Sequence, residues 1–280
     1  MTSELRNFLL VVEHGSFTEA ARRAHLAQPS LSASIKRLEE QLGARLLHRL
    51  PRGARPTAAG EALVPHARAV LAEIERGRRA VREVEGLQAG EVRIGGGATA
   101  ATTLLPPLLA SFRARHPGIR LTLTEAFTPR IPELVRRGEL DLGIAQDVGE
   151  PWLIDEVVLI SAPGYSGSAF IGFVRGAAMR EMQDRLFPEA EKVMALASIA
   201  AVKGQVRAGL GIALLSRVAC LDDLAAGHLV ERPHPSTPVR RSLCLVHPGV
   251  ERLSPAARSF REHLLSEGIP TQARGGFRRL

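Results

Sequence analysis

Residues 95–100 carry the pattern in this chain that comes nearest to cofactor chemistry. They read Gly95-Gly96-Gly97-Ala98-Thr99-Ala100, which has the form G-x-G-x-x-A, and they follow a predicted strand. The next predicted strand ends at Glu125, so the pair is similar to a dinucleotide-binding fingerprint. Pro106 and Pro107 interrupt the helix that would have to follow, because a proline inside a helix costs about 3 kcal/mol. A dinucleotide-dependent enzyme is therefore the less favoured interpretation.

The same turn is better suited to a small anion or polar ligand, because free backbone amides and hydroxyl groups gather at a helix start. The hydroxyl groups there belong to Thr99, Thr102 and Thr103. The sequence contains no HExxH, GxSxG or P-loop motif and no cysteines and histidines at metal-ligand spacing. We predict a ligand site without a metal, a resident cofactor or a catalytic centre.

A second constellation lies near the amino terminus, where small polar residues open a short helix. Pro29 fits the first turn of that helix, and Leu31, Ile35, Leu38 and Leu42 form its apolar stripe before Gly43 ends it. Two short helices joined by a tight turn can place the second one in the major groove of duplex DNA. The residues of this helix predicted to contact DNA are Gln28, Pro29, Ser30, Ser32, Ser34, Lys36 and Arg37.

Neighbouring segments position this helix. Ser16-Phe17-Thr18-Glu19 is a capping box that starts the preceding helix after Gly15. The Ser16 hydroxyl can accept a hydrogen bond from the Glu19 amide, and the Glu19 carboxylate can accept one from the Ser16 amide. Arg49, Arg52 and Arg55 lie among prolines and glycines in a segment suited to a β-wing on phosphates, and Arg52 and Arg55 are its predicted contacts. From spacing alone, a three-helix bundle with a solvated charged face is the alternative.

A long helix is predicted next, over residues 61–88. An a-type position repeats every seven residues, at Leu63, Val70, Gly77 and Val84. Three apolar residues fall between them at d-type spacing, namely Ala67, Ile74 and Val81. The alternative is that this stripe packs on the chain's own domains. The predicted self-association contacts are Leu63, Ala67, Val70, Ile74 and Val81.

Composition limits the class of protein. The 280 residues allow two domains, and a net charge of +8 favours a polyanionic partner. The two cysteines are compatible with a reducing cytoplasm, and no stretch reads as a signal peptide or a membrane span. We expect a cytoplasmic protein without a membrane partner. Aromatic residues make up 4%, which disfavours a single-strand binder that stacks bases.

After residue 89 the pattern becomes that of an α/β domain, in which strands alternate with amphipathic helices. Residues 271–280 are predicted to be a disordered basic tail. The strands are predicted near residues 92–94, 119–124, 142–145, 157–160, 170–174, 193–196, 212–215 and 243–246.

A further match is carried by residues 8–21, 28–32, 35–43, 46–47, 49 and 57–60. It covers essentially all of residues 3–65, which closely resemble the DNA-binding domain of LysR-type transcriptional regulators. The resemblance implies that Gln28, Pro29, Ser30 and Ser32 enter the groove, and that a wing carrying Arg52 and Arg55 holds the backbone. The chain departs from the family at Ala33 and at Pro56.

Residues 95–106, 112, 116–118, 134–144 and 206–215 resemble the effector-binding domain of the same regulators. That domain is similar to type 2 periplasmic binding proteins, which hold ligand between two α/β lobes. The resemblance implies lobe I at about 89–160 and 247–270, and lobe II at about 161–246, shortened between Leu159 and Phe170. Each implied effector contact follows a strand, where a helix-cap role is the alternative. The contacts are Thr99, Thr102, Thr103, Thr128, Arg175, Gly176 and Ser198.

The fold expected is therefore a winged helix-turn-helix over 1–60, a linker helix over 61–88 and a two-lobed α/β effector domain over 89–270. The function expected is sequence-specific regulation of a promoter by a dimer or tetramer that responds to a small molecule, with RNA polymerase as a further partner. A constitutive repressor or architectural protein without effector response is the alternative.

Overall fold

The computed structural model of the protein describes residues 1–50, 53–84 and 90–267. The chain divides into two compact units. The first consists of Met1–Val81 with Arg136–Glu139, and the second contains the remainder. No helix in the described ranges is both long and apolar enough to cross a membrane.

Three helices, a hairpin and a long helix make up the first unit. Gly15 adopts a left-handed conformation with φ of 62°, which allows the first helix to end sharply and the next to begin at Phe17. Phe8, Leu31 and Leu38 are completely buried between the helices. The elements are α1 (Thr2–His14), α2 (Phe17–Arg23), α3 (Gln28–Leu42), β1 (Leu47–Leu50), β2 (Gly53–Pro56) and α4 (Ala58–Val84).

The predicted capping box forms only in part. The Ser16 hydroxyl accepts a hydrogen bond from the Glu19 amide at 3.3 Å, as predicted. The Glu19 carboxylate does not reach back to Ser16; it accepts hydrogen bonds from Arg22 at 2.9 Å and from Arg23 at 3.0 Å. Bonds to two guanidinium groups of the same helix are charge-assisted, which favours them over a bond to a neutral amide.

Helix α4 places the predicted self-association residues in two different environments. Ala67 is only 1% exposed, and it packs with the half-buried Leu63 in the core of the N-terminal domain. The prediction that Ala67 faces a partner helix is wrong, because the first turns of α4 close the domain's own core. Val70 and Val81 are 45% and 62% exposed, and Ile74 is half-buried.

The second unit contains one seven-stranded sheet and one two-stranded sheet. The strands are β3 (Glu91–Gly96), β4 (Arg120–Glu125), β5 (Leu142–Gln146), β6 (Glu150–Ser161), β7 (Phe170–Phe173), β8 (Lys192–Leu196), β9 (Ala213–Ser216), β10 (Val230–Glu231) and β11 (Val239–Val246). Strand β3 pairs in parallel with β4 and β5, and β11, β6, β9 and β10 extend that sheet with antiparallel pairs. Strands β7 and β8 form the second sheet. The α-helices are α5 (Leu105–Arg115), α6 (Ile131–Arg136), α7 (Ala178–Leu186), α8 (Ile199–Arg207), α9 (Leu221–Ala225) and α10 (Pro255–Glu267).

The two largest apolar cores of this unit define two lobes. The lobe I core includes Phe112, Leu142 and Phe260, whereas the lobe II core includes Phe170 and Val202. The long antiparallel strands β6 and β11 pass through both lobes. The lobe boundaries therefore differ from those expected, because residues 157–160 belong to the lobe II core and Leu243 and Leu245 to the lobe I core.

Pro106 and Pro107 do not interrupt the helix after β3, contrary to the prediction. A π-helical turn over Ala100–Leu104 leads directly into α5, and a proline stands in the first turn of α5, directly after the change of helix type. The glycines before it serve close packing. A β-carbon on Gly97 would lie 2.7 Å from the Thr128 hydroxyl oxygen.

Candidate functional site

Helix α3 presents its amino-terminal residues to solvent. Gln28, Pro29 and Ser30 are exposed, and no side chain caps the first turn of the helix. Opposite them, Leu31, Ile35 and Leu38 are anchored in the core. This arrangement gives a rigidly held helix end with small polar groups and free amides, which is the geometry that helix-turn-helix proteins present to a major groove.

Ser32 is linked to the hairpin through an arginine. Its hydroxyl accepts a hydrogen bond of 2.7 Å from Nη2 of Arg49, and the Arg49 guanidinium lies 4.6 Å from the centre of the Phe17 ring. The side chain of Arg49 therefore joins α2, α3 and β1 at the surface. Sequence reasoning placed Arg49 in the wing but did not identify these contacts, which connect residues 17, 32 and 49.

Ser34 does not lie on the exposed face, so its prediction as a DNA contact is wrong. The side chain is 4% exposed, and its hydroxyl accepts a hydrogen bond of 2.9 Å from the Asn7 amide. Position 34 follows Leu31 by three residues and precedes Leu38 by four, which puts it on the stripe that faces the core.

The basic residues near this face are exposed and weakly paired. Lys36 lies 3.6 Å from a Glu40 oxygen, and Arg37 lies 3.7 Å from a Glu4 oxygen. Arg55 is exposed in β2 of the hairpin. Arg52, the other predicted wing contact, lies outside the described residues.

A cavity of about 390 Å³ opens within the second unit, between lobe I and lobe II. Its walls come from the ends of β3, β4, β5 and β7 and from the first residues of α7 and α8. Small and apolar side chains predominate, so the cavity can enclose a small, largely apolar molecule. Its lining includes Gly97, Ala98, Thr99, Phe127, Thr128, Ile144, Gln146, Phe173, Met179, Ile199, Arg241 and Leu243.

Two of the seven predicted effector residues line this cavity, namely Thr99 and Thr128. The others are placed elsewhere. The Thr102 hydroxyl donates to the Ala98 carbonyl at 2.7 Å, and Ser198 caps α8 by accepting from the Ala201 amide at 3.2 Å. Thr103, Arg175 and Gly176 are also absent from the lining; Arg175 and Gly176 are exposed.

A buried ion pair lies where the two lobes meet. Nη2 of Arg241 on β11 lies 2.7 Å from Oδ2 of Asp155 on β6, and the Asp155 side chain is completely buried. Asp155 also accepts a hydrogen bond of 2.7 Å from the Ser216 hydroxyl, and Arg241 Nη2 donates to Thr99 at 3.4 Å. The pair thereby joins residues of β6, β9 and β11 to the residue that precedes the π-helical turn.

Gln146, at the end of β5, is a further polar group of the cavity wall. Its Nε2 donates to Asp147 at 3.0 Å, whereas its Oε1 is buried without a hydrogen-bond partner. Sequence reasoning missed both Gln146 and Arg241. Neither follows a recognised motif, and the Arg241 partners stand 86 and 142 residues away in the chain.

The described residues hold neither a metal-binding cluster nor a reactive thiol at Cys220. Within residues 1–50, 53–84 and 90–267, no three histidine, cysteine, aspartate or glutamate side chains are grouped to hold a metal ion. Burial raises the pKa of the Cys220 thiol to about 12, so this thiol stays protonated near neutral pH and is a poor nucleophile.

Comparison with known proteins matches both parts of the chain. Residues 2–61 match the family described as "Bacterial regulatory helix-turn-helix protein, lysR family", and residues 85–268 match the "LysR substrate binding domain". The chain is 30% identical over 287 residues to the HTH-type transcriptional regulator CfxR of Cupriavidus necator, covering 94% of this chain and 90% of that protein.

Solved structures are similar along nearly the whole length. ArgP from Mycobacterium tuberculosis superposes with a TM-score of 0.69 at 19% identity, covering 99% of this chain and 98% of ArgP. Full-length CbnR complexed with its target DNA gives a TM-score of 0.62 at 21% identity, covering 94% of this chain and 98% of CbnR. These similarities concern the fold.

Proposed function

Because this chain belongs to the LysR family of transcriptional regulators, we propose that it binds a specific promoter sequence as a dimer or tetramer in the cytoplasm and responds to a small molecule. The observation that carries DNA binding is the exposed, uncapped start of α3, with Gln28, Pro29 and Ser30 outward, while Leu31, Ile35 and Leu38 anchor the opposite face in the core. Ser32 adds a polar group at the edge of this face.

Charge supports the same proposal. Four basic side chains of the N-terminal domain are exposed, namely Lys36, Arg37, Arg49 and Arg55. Arg52 falls in the sequence between β1, which carries Arg49, and β2, which carries Arg55. Cationic side chains around a groove-reading helix bind phosphates and release counterions, which gives affinity without base preference. CbnR, which has a similar fold, has been solved with its target DNA.

Self-association is proposed through the later part of α4. Val70 and Val81 are strongly exposed for apolar residues, and Ile74 lies between them. A partner helix covering these residues would remove apolar surface from water, and two copies would bind both halves of a symmetric DNA site. We propose that contact with RNA polymerase follows from promoter binding.

The effector site is proposed in the cavity between the lobes. Thr99 and Thr128 line it. A ligand that contacts both lobes would shift the equilibrium between the open and the closed arrangement of the two lobes. A change of lobe arrangement would then alter the spacing or bending of the bound half-sites. We assign no effector role to Thr102, Thr103, Arg175, Gly176 or Ser198.

The test is binding of the full chain to the promoter region next to its own gene and to random duplex DNA at physiological salt. We expect binding to the promoter region to be at least 1000-fold tighter than to random DNA. Equal affinities would refute sequence-specific regulation. Gln28→Ala should lower the affinity for the promoter more than for random DNA, because base contacts carry specificity.

The matched comparison is between two arginine variants. Arg55→Ala should weaken binding to both DNAs alike and reduce the salt slope by about 1, because it removes one phosphate contact. Arg258→Ala removes the same charge from α10 and should leave both affinities and the slope unchanged. If the two variants behave alike, net charge rather than the wing explains the binding.

A further inference from the structure

The hydrogen bonds of the buried ion pair leave one donor open. Arg241 uses Nε and Nη2 on Asp155, at 2.8 Å and 2.7 Å, and Nη2 also reaches Thr99. Among the described residues, Nη1 makes no hydrogen bond or ion pair, although Arg241 lines the cavity. A guanidinium group has five donor hydrogens, so this arrangement leaves the two on Nη1 available to a ligand.

Asp155 cannot act as the ligand's partner in place of Arg241. Its Oδ2 binds Arg241, its Oδ1 accepts from Ser216 at 2.7 Å, and the side chain is completely buried. The member of the pair that lines the cavity is the cation. The pair as a whole is neutral, so the aspartate fixes the orientation of the guanidinium while Arg241 supplies the donor.

The charged groups of the cavity wall are Arg241, Arg130 and Glu125. Arg130 and Glu125 are exposed, whereas Arg241 is 8% exposed. An interaction with Arg241 therefore takes place with less screening by solvent, and a hydrogen bond between ionised partners is about twice as strong as one between neutral partners. An acidic group on the ligand fits this position better than a carbonyl or hydroxyl group.

Gln146, in contrast to Arg241, requires a hydrogen-bond donor on the ligand. Its Oε1 is buried and unpartnered, and a buried acceptor without a hydrogen bond is costly. Gln146 lines the same cavity, so a hydroxyl or amino group on the ligand would supply the absent donor. Most of the remaining wall, including Phe127, Phe173 and Ile199, is apolar.

We propose that the cavity binds a small, mainly apolar carboxylic acid that carries a hydroxyl or amino group, with the carboxylate on Arg241 and the donor on Gln146. This inference rests on the proposed function, because it concerns the same cavity. It adds a ligand class and two binding residues. A volume of about 390 Å³ is at the lower end of the range of small-molecule sites, which suits a ligand the size of a substituted single ring.

The experiment measures calorimetric binding to the full chain for phenylacetate, its 2-, 3- and 4-hydroxy derivatives, and the primary amide of each. We expect at least one hydroxylated acid to bind at least tenfold more tightly than its amide and than phenylacetate. If no acid binds, or if acids and amides bind equally, the proposal is overturned.

Variants of the two residues assign the contacts. Arg241→Lys keeps a positive charge beside Asp155 but replaces the planar guanidinium group by an ammonium group. It should weaken binding of the preferred acid at least tenfold. Gln146→Met preserves size and should abolish the preference for the hydroxylated acid over phenylacetate. Arg240→Lys, on the adjacent and exposed residue of β11, is the matched control and should change neither. Unchanged binding in Arg241→Lys contradicts the proposal. If that variant does not fold, the comparison of acids with amides and the Gln146→Met variant test the proposal, and equal binding of acids and amides overturns it.

Promoter binding measured on the same preparations separates this inference from the proposed function. Specific DNA binding without binding of any acid would refute the ligand class and leave the regulator intact. Loss of specific DNA binding in the unmodified chain would refute the regulator itself.

Discussion

The ion pair between Asp155 and Arg241 should show strong energetic coupling in a double-mutant cycle. Asp155 is completely buried and Arg241 nearly so, and the hydrogen bonds to Ser216 and Thr99 fix both groups. The perturbations are Asp155→Leu, Arg241→Met and the double variant, each of which replaces a polar side chain by an apolar one of comparable size.

Each single variant should lower the free energy of unfolding by about 3–5 kcal/mol, because it leaves an uncompensated charge inside the protein. The double variant removes both charges, and replacement of a buried pair by apolar groups is often close to neutral. The single effects would add up to about 6–10 kcal/mol if they were independent, so we expect a coupling energy of at least about 4 kcal/mol.

The assay is urea and thermal unfolding of the full chain, followed by the transition of the effector domain. For a domain of this size, each 1 kcal/mol shifts the midpoint by roughly 2–4 °C, so each single variant should lower it by about 6–20 °C. Arg240→Met, which removes the exposed partner of Glu156 on the same strand, should cost less than about 1 kcal/mol. Additive effects of the two single substitutions would refute the view that the two charges depend on each other.

Three further predictions concern other parts of the molecule. Ser34→Ala should destabilise the N-terminal domain by about 1–3 kcal/mol, since it leaves the Asn7 amide without its partner, while base preference stays unchanged; a shift in base preference would contradict its burial. Burial lowers the pKa of His263 below its usual 6.5, so the unfolded chain takes up a proton first as pH falls. Stability should therefore decline as pH falls below about 6.5, and His263→Gln should reduce that decline in unfolding experiments between about pH 7.5 and 5.5; equal pH dependence would contradict this assignment. Val81→Asp should shift the chain toward monomer in analytical ultracentrifugation, because it places a charge on the exposed apolar surface of α4; an unchanged assembly would exclude that part of the helix as the interface.

The amino-terminal elements could be predicted from sequence because their determinants are local. Gly15, the Ser16 cap, Pro29 and the apolar stripe of α3 each act within a few residues, so spacing alone indicates where the helices begin and end. All eight predicted strands of the second unit are present, since alternating apolar runs bounded by turns mark strands. The resemblance to LysR regulators added the order of domains.

Errors occurred where a helix face had to be assigned. Ser34 was predicted to be exposed along with its polar neighbours, yet a serine can occupy a core-facing position when a buried amide such as that of Asn7 donates to it. Ala67 fits a heptad seam as well as a domain core, and only the closure of the N-terminal domain over α4 decides between them.

The order of helices and strands and the family of the protein follow from periodicity, caps and motifs that lie within short stretches of the sequence. The side chains that form the cavity and the ion pair beside it are brought together only in the folded chain. Asp155, Ser216 and Arg241 come from three strands far apart in the chain, and β6 and β11 bring them together by crossing between the lobes. A hydrogen bond depends on distance in space, and the spacing of residues along the chain carries no record of which strands become neighbours.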